Sequence, residues 1–195
     1  MEVTFVSTNQ AKRRVVLLRA KKWGIKVNTV NLELYEEQSM SVREVAKSKA
    51  MYAYSILKKP LFIDDRGLII PALNGFPGAL LKFTINTIGA EGIVKLMENK
   101  KNRKAYFETA TAFMSSELKK PIVFSYREHG SILDEVRSGK LHRWTDIIRI
   151  FSTPMYSGRA LSELTDNEWN NYQEDKARED HIEKLFSWLA EKKKL

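Results

Sequence analysis

The chain has 195 residues, 33 of them basic and 24 acidic, for a formal net charge of +9, and no cysteine. A hydrophobic fraction of 43% and a charged fraction of 29% are those of a soluble globular protein, and a chain of this length hides about 70% of its unfolded surface from water. Disulfides, thiolate metal sites and cysteine nucleophiles are excluded, and none of the three histidines, His129, His142 and His181, forms a metal-binding pair at helical spacing.

Val3, Phe5 and Val6 predict a buried strand, which Ser7-Thr8-Asn9 turns into a helix over Gln10 to Lys22. Gly24 stops that pattern, and Ile25 to Leu34 predicts a second strand. Val42, Val45, Ala46, Ala50, Ala53, Ile56 and Leu57 recur at intervals of three and four, as on an amphipathic helix. Lys58-Lys59-Pro60 ends it. Leu61-Phe62-Ile63 predicts a strand that turns at Asp64-Asp65-Arg66-Gly67 before Leu68-Ile69-Ile70. Asn74 to Gly78 is a loop by composition, and Thr87 to Asn99 a helix. Ala105 to Met114 and Ile122 to Ile132 predict two strands joined by a hairpin connection over Ser115 to Pro121. Asp175 to Glu191 predicts a core-docking helix with Ile182, Leu185, Phe186 and Leu189 on one face and a structural His181 beside them. Strands alternating with helices predict an α/β architecture in a single domain spanning residues 1–195, with room for two lobes.

The basic excess suits a polyanionic partner. Lys100-Lys101, Lys119-Lys120 and Lys192-Lys193-Lys194 are scattered runs, not a stripe, and no nucleic-acid-binding motif accompanies them. A nucleotide is therefore expected in preference to a nucleic acid. The opening residues lack the basic segment and apolar run of a signal peptide, and no stretch has the length of a membrane span. The expectation is a cytoplasmic protein without a membrane partner.

Ser7, Thr8 and Asn9 stand where a strand meets a helix N-terminus, whose free N–H groups can hold an anion, and Lys12 can reach the same anion. Asn9 as a simple helix cap is the alternative. Asp64 and Asp65 stand at a strand end. Neighbours on an extended chain point to opposite faces, so one of the two is expected to face any given site. A carboxylate facing a triphosphate needs a bridging Mg²⁺. Aspartates that cap the local turn are the alternative.

Several segments together carry a resemblance. They are Ser-Thr-Asn-x-x-Lys, an acidic segment, a helix with Lys49-Ala50, Asp-Asp-x-Gly-Leu and Ala-Leu-Asn-Gly-Phe-Pro-Gly. Thr-Ile-Gly-x-Glu-Gly-Ile-x-Lys-Leu-Met-Glu and Arg-Lys-Ala-Tyr-Phe complete the set. The chain resembles the inosine triphosphate pyrophosphatase family over nearly its whole length, most specifically from Ile63 to Phe107. The resemblance implies a mixed α/β fold: a long twisted sheet flanked by helices, and two lobes with a central nucleotide cleft. It also implies Mg²⁺-dependent hydrolysis of ITP, dITP and XTP to monophosphate and pyrophosphate, by a homodimer that pairs through its central region; Phe76, an apolar loop residue beside Pro77, is the expected interface anchor.

Residue by residue, the resemblance gives Ser7, Thr8, Asn9 and Lys12 the phosphates, and Lys49 an approach to the substrate. Asp65 matches the aspartate that binds Mg²⁺ and orients the attacking water. Glu36 matches the metal-binding glutamate, or Glu37 under a one-residue slip. The base-reading half departs from the family. Trp144 stands one residue from the purine-stacking aromatic, followed by Thr145 and a retained Asp146. The family's lysine falls at Trp169, and its Ser-His-Arg motif falls near Lys176-Ala177-Arg178, which keeps only the arginine. Arg66 stands in place of a serine, either to replace the lost lysine near the phosphates or to pair with Asp64 or Glu36. These substitutions imply altered base selection, or alternatively a member that binds a nucleotide or a protein without turnover.

Overall fold

The structure, a computed structural model, describes residues 2–139 and 145–192. Among them the strands are β1 (Glu2–Val6), β2 (Lys26–Val30), β3 (Leu61–Ile69), β4 (Pro77–Gly78), β5 (Lys104–Met114), β6 (Ile122–Ile132) and β7 (Phe151–Ser152). The helices are α1 (Gln10–Lys22), α2 (Val42–Leu57), α3 (Leu81–Thr87), α4 (Gly89–Leu96), α5 (Asp166–Ala177) and α6 (His181–Lys192). The seven strands form one sheet in the order β2-β1-β3-β5-β6-β7, with β4 against β3. β1 runs parallel to β2 and β3, whereas β4 and β7 run antiparallel to β3 and β6. This is the expected mixed α/β sheet, its parallel pairs joined by the helical crossovers that such pairs require.

The chain divides into two compact units, and β3, β5 and β6 contribute residues to both. Unit 1 takes the chain as far as Asp65, Thr109–Tyr126 and the residues from Ala177 onward. Its core gathers Val3, Phe5, Val16, Phe62, Phe113, Ile182, Leu185 and Phe186. Phe5 stacks on Phe62 at 4.9 Å between ring centres, and Phe186 meets Phe62 edge-on at 6.1 Å. Unit 2 takes Arg66–Glu108 and Arg127–Lys176. Leu68, Ile93, Met97, Ile132, Ile148 and Leu161 surround Phe107 and Phe151, whose rings lie 4.5 Å apart.

The structure departs from the predicted elements at several places. β2 ends at Val30 because its partner β1 ends at Val6, directly opposite in the register. β3 runs unbroken through Asp64-Asp65-Arg66-Gly67, where a turn was expected. The helix expected over Thr87 to Asn99 is α4 alone, and α3, which was not expected, precedes it across Gly89 at φ +67°. The expected helix over Asp175 to Glu191 is the end of α5 and all of α6. It breaks because the Asp180 carboxylate accepts the N–H groups of Ile182 and Glu183, at 2.9 and 3.1 Å, and so starts a new helix. α5 itself escaped prediction because its sequence, DNEWNNYQEDKA, buries only Tyr172. The β5–β6 hairpin is present as expected, with the Ile132 N–H bonded to the Arg103 carbonyl at 2.9 Å.

Candidate active site

Unit 1 carries the residues expected at phosphate and metal. Asn9 caps α1, its side-chain oxygen accepting the Lys12 N–H at 3.1 Å, and its own N–H is given to the Ser7 hydroxyl at 3.2 Å. The simple capping role is thus real, and it orders the turn whose exposed residues are Thr8 and Asn9. Lys12, one turn further on, extends its ammonium to Asp64, 3.2 Å from Oδ2 and 3.3 Å from the backbone carbonyl.

β3 sends its two aspartates to different partners, as alternation along a strand requires. The Asp64 side chain is only 9% exposed, and its second oxygen lies 3.3 Å from His181 Nε2. Burial opposes ionisation of Asp64, but the Lys12 ammonium and the His181 ring outweigh it and hold the carboxyl well below the usual carboxylate range. Asp65 instead bonds Lys49, whose ammonium lies 2.8 Å from Asp65 Oδ2 and 3.1 Å from Glu36 Oε2. Burial works to lower the Lys49 pKa, and the two carboxylates more than reverse this, so the group stays charged. Lys49 therefore joins Glu36, not Glu37, to Asp65.

Two carboxylates converging on one cation are a fitting donor set for a hard divalent ion. Mg²⁺ commonly takes one or two carboxylates and completes its shell with waters and substrate phosphates. Among the described residues no cluster of three or more acidic or histidine side chains could hold a metal by itself.

Unit 2 holds most of the residues expected at the base. Arg66 donates to Glu128 Oε2 at 2.8 Å and lies over the Phe107 ring at 4.2 Å from its centre. The sequence left Asp64 and Glu36 open as its partners; the ion pair observed is with Glu128. Glu128, only 7% exposed, also accepts from the Tyr172 hydroxyl and lies 3.7 Å from the Lys176 ammonium. Asp146 holds the start of α4, accepting the Ala90 N–H at 2.9 Å on one oxygen and Arg149 at 2.9 Å on the other. Thr145 before it is exposed. Trp169 packs on the core beside Tyr172, at 5.4 Å between rings. Arg178, in unit 1, is exposed just beyond α5. Trp144 lies outside the described residues.

Sequence reasoning missed Glu128 and His181 as site-forming residues. Glu128 stands on a strand with no partner nearby in sequence, and nothing local marks it as buried. His181 opens a helix that was read as continuous.

A profile of the Ham1 family matches residues 3–188. The chain belongs to the Ham1 family. Among curated relatives, the dITP/XTP pyrophosphatase of Saccharolobus solfataricus is 36% identical over 187 residues, covering 95% of this chain and 91% of that protein. Inosine triphosphate pyrophosphatase 1 of Trypanosoma cruzi is 33% identical over 169 residues, 87% of this chain and 84% of the other. The Ham1 protein of Coxiella burnetii shares the fold, with a TM-score of 0.79 at 23% identity, over 98% of this chain and 99% of that one.

Proposed function

We propose that this chain is a nucleoside triphosphate pyrophosphatase that hydrolyses ITP, dITP and XTP to the monophosphate and pyrophosphate. Membership of the Ham1 family and the names of the relatives support the activity. The carrying observation in the structure is the pairing of Glu36 and Asp65 on the Lys49 ammonium, beside Lys12 on Asp64. It gives unit 1 two carboxylates for an ion and two lysines for phosphates.

In the proposed reaction, water adds to the α-phosphorus as the bond to the bridging oxygen breaks, and pyrophosphate leaves with that oxygen. Asp65 orients the water and takes its proton. Lys12 and the turn at Thr8 and Asn9 hold phosphate oxygens by charge and N–H groups. Lys49, released from Asp65 as the site fills, turns to the substrate. Glu36 and Asp65 would hold Mg²⁺, which supplies neutralisation of charge on the leaving pyrophosphate. For the base, Trp144, outside the described residues, is the proposed stacking residue, with Asp146 beside the base edge. A triphosphate substrate suits a cytoplasmic location.

The test is product analysis with ITP, dITP, XTP and the common triphosphates, with Mg²⁺ and with chelator. The expected result is one pyrophosphate per monophosphate from the inosine and xanthine nucleotides, lost on chelation. Release of orthophosphate would refute the reaction proposed, and tight binding without turnover would favour a non-catalytic nucleotide binder.

A further inference from the structure

The phosphate lysine sits in a closed ring of contacts within unit 1. Lys12 and Arg19 both lie on α1, two turns apart and so on one face. Arg19 clamps the region where α6 begins: Nη1 bonds Asp180 at 2.6 Å, and Nη2 bonds the Ala177 carbonyl at 3.0 Å and Glu183 at 3.1 Å. Asp180 in turn caps α6. His181, first residue of that helix, presents Nε2 to Asp64 Oδ1 at 3.3 Å. Asp64 returns the ring to α1 through Lys12.

The geometry bears on what Lys12 can do. An ammonium has three N–H donors on a flexible four-carbon stem. Two of the three are engaged by Asp64, through Oδ2 and the backbone carbonyl. The Lys12 side chain is still 34% exposed, so a third donor is left for a ligand. The arrangement depends on Asp64 keeping one orientation. Among the described residues Oδ1 is buried without a hydrogen-bond partner, and the His181 ring at 3.3 Å is the charge-bearing group that faces it; without that ring the carboxylate is free to turn or draw in water.

We propose that His181 is a positioning residue for phosphate binding, acting through Asp64 to fix the Lys12 ammonium with one donor directed at the substrate. The inference rests on the pyrophosphatase function proposed above. His181 does not touch the phosphates. It removes the freedom of the carboxylate that anchors Lys12, and so lowers the ordering cost met when a triphosphate arrives.

The test is a cycle of His181→Phe, Lys12→Met and the double variant, with His181→Gln as rescue, since its amide can donate to Asp64. Two measurements are taken on each protein: kcat and KM for ITP with Mg²⁺, and calorimetric binding of inorganic tripolyphosphate. H181F should raise KM and weaken tripolyphosphate binding about tenfold with little change in kcat, and H181Q should recover most of the loss. In the K12M background H181F should cost less than a further twofold, because its effect passes through the lysine. If H181F fails to fold, His181→Asn, too short to reach Asp64, replaces it.

Effects of H181F and K12M that multiply, or a failure of H181Q to rescue, would reduce His181 to a packing residue and overturn the proposal. A wild type that binds tripolyphosphate with the expected coupling, yet turns over no nucleotide, would sustain the positioning role while removing the proposed activity. No tripolyphosphate binding by the wild type would overturn both.

Discussion

Asp64 and Asp65 are neighbours with separate tasks, and the separation follows from strand geometry. Asp64 is committed to Lys12 and His181, whereas Asp65 meets Lys49 together with Glu36. Asp65→Asn should therefore abolish turnover and leave the fold intact, since it removes a charge and almost no volume. The expected loss is several kcal/mol of transition-state stabilisation, read from kcat/KM, with circular dichroism to verify folding. Activity near wild type would defeat the role given to Asp65. The division between the two aspartates was legible in the sequence from period-two alternation alone. The Lys12–Asp64–His181 arrangement was not, because residues 64 and 181 meet only through tertiary packing. Arg66 was legible as an odd cation beside the carboxylates, but its partner Glu128 stands on another strand, where no local pattern marks it.

At the scale of elements, strands and helices with strong apolar periodicity were legible: α2, β5 and β6 lie where the pattern places them. What escaped was decided by single side chains and by register. β2 stops where β1 stops. α5 and α6 separate because Asp180 prefers a cap to a place inside a helix. That aspartate also makes α6 sensitive to acid. Burial opposes its ionisation, but the Arg19 hydrogen bond and the nearby charges of His181 and Arg19 prevail, leaving its pKa below the ordinary value.

A carboxylate whose pKa is lowered by folding adds stability that is complete above the unfolded value of about 3.9 and is lost as the pH falls through the folded value. Asp180→Asn keeps a capping oxygen and loses the charge pair. It should cost about 3 kcal/mol near pH 7 and less as the pH falls below about 4. Thermal melts of both proteins from neutral to acid pH measure this. Parallel pH profiles would show that the Arg19–Asp180 pair contributes nothing to the acid response.

On the scale of the molecule, the mixed sheet was legible from the resemblance more than from periodicity, while the division into two cores was set by contacts too distant in sequence to read. For the expected homodimer, Phe83 is a second candidate contact besides Phe76. Phe76 is only partly exposed, whereas Phe83 on α3 is 68% exposed, with Leu80 one turn before it at 38%. Large apolar side chains grouped on an exposed helix face mark an association surface. Sedimentation should show a dimer at micromolar concentration, and Phe83→Asp should shift it to monomer without lowering the melting temperature. A wild type that remains monomeric would dismiss the dimer.

The unit 1 core also sets an order of events during synthesis. Unit 2 draws its core from Leu68 to Tyr172, and that core is complete once Tyr172 has left the ribosome. Unit 1 begins earlier and finishes later, because Val3 and Phe5 pack with Ile182, Leu185 and Phe186. The nascent chain therefore carries Phe5 and Phe62 without their final cover through most of translation. Contacts so remote along the sequence form slowly, and the waiting apolar surface is what chaperones bind. The strand that leads into the turn at Thr8 is thus made before the residues that cover it and is among the last parts to be sealed.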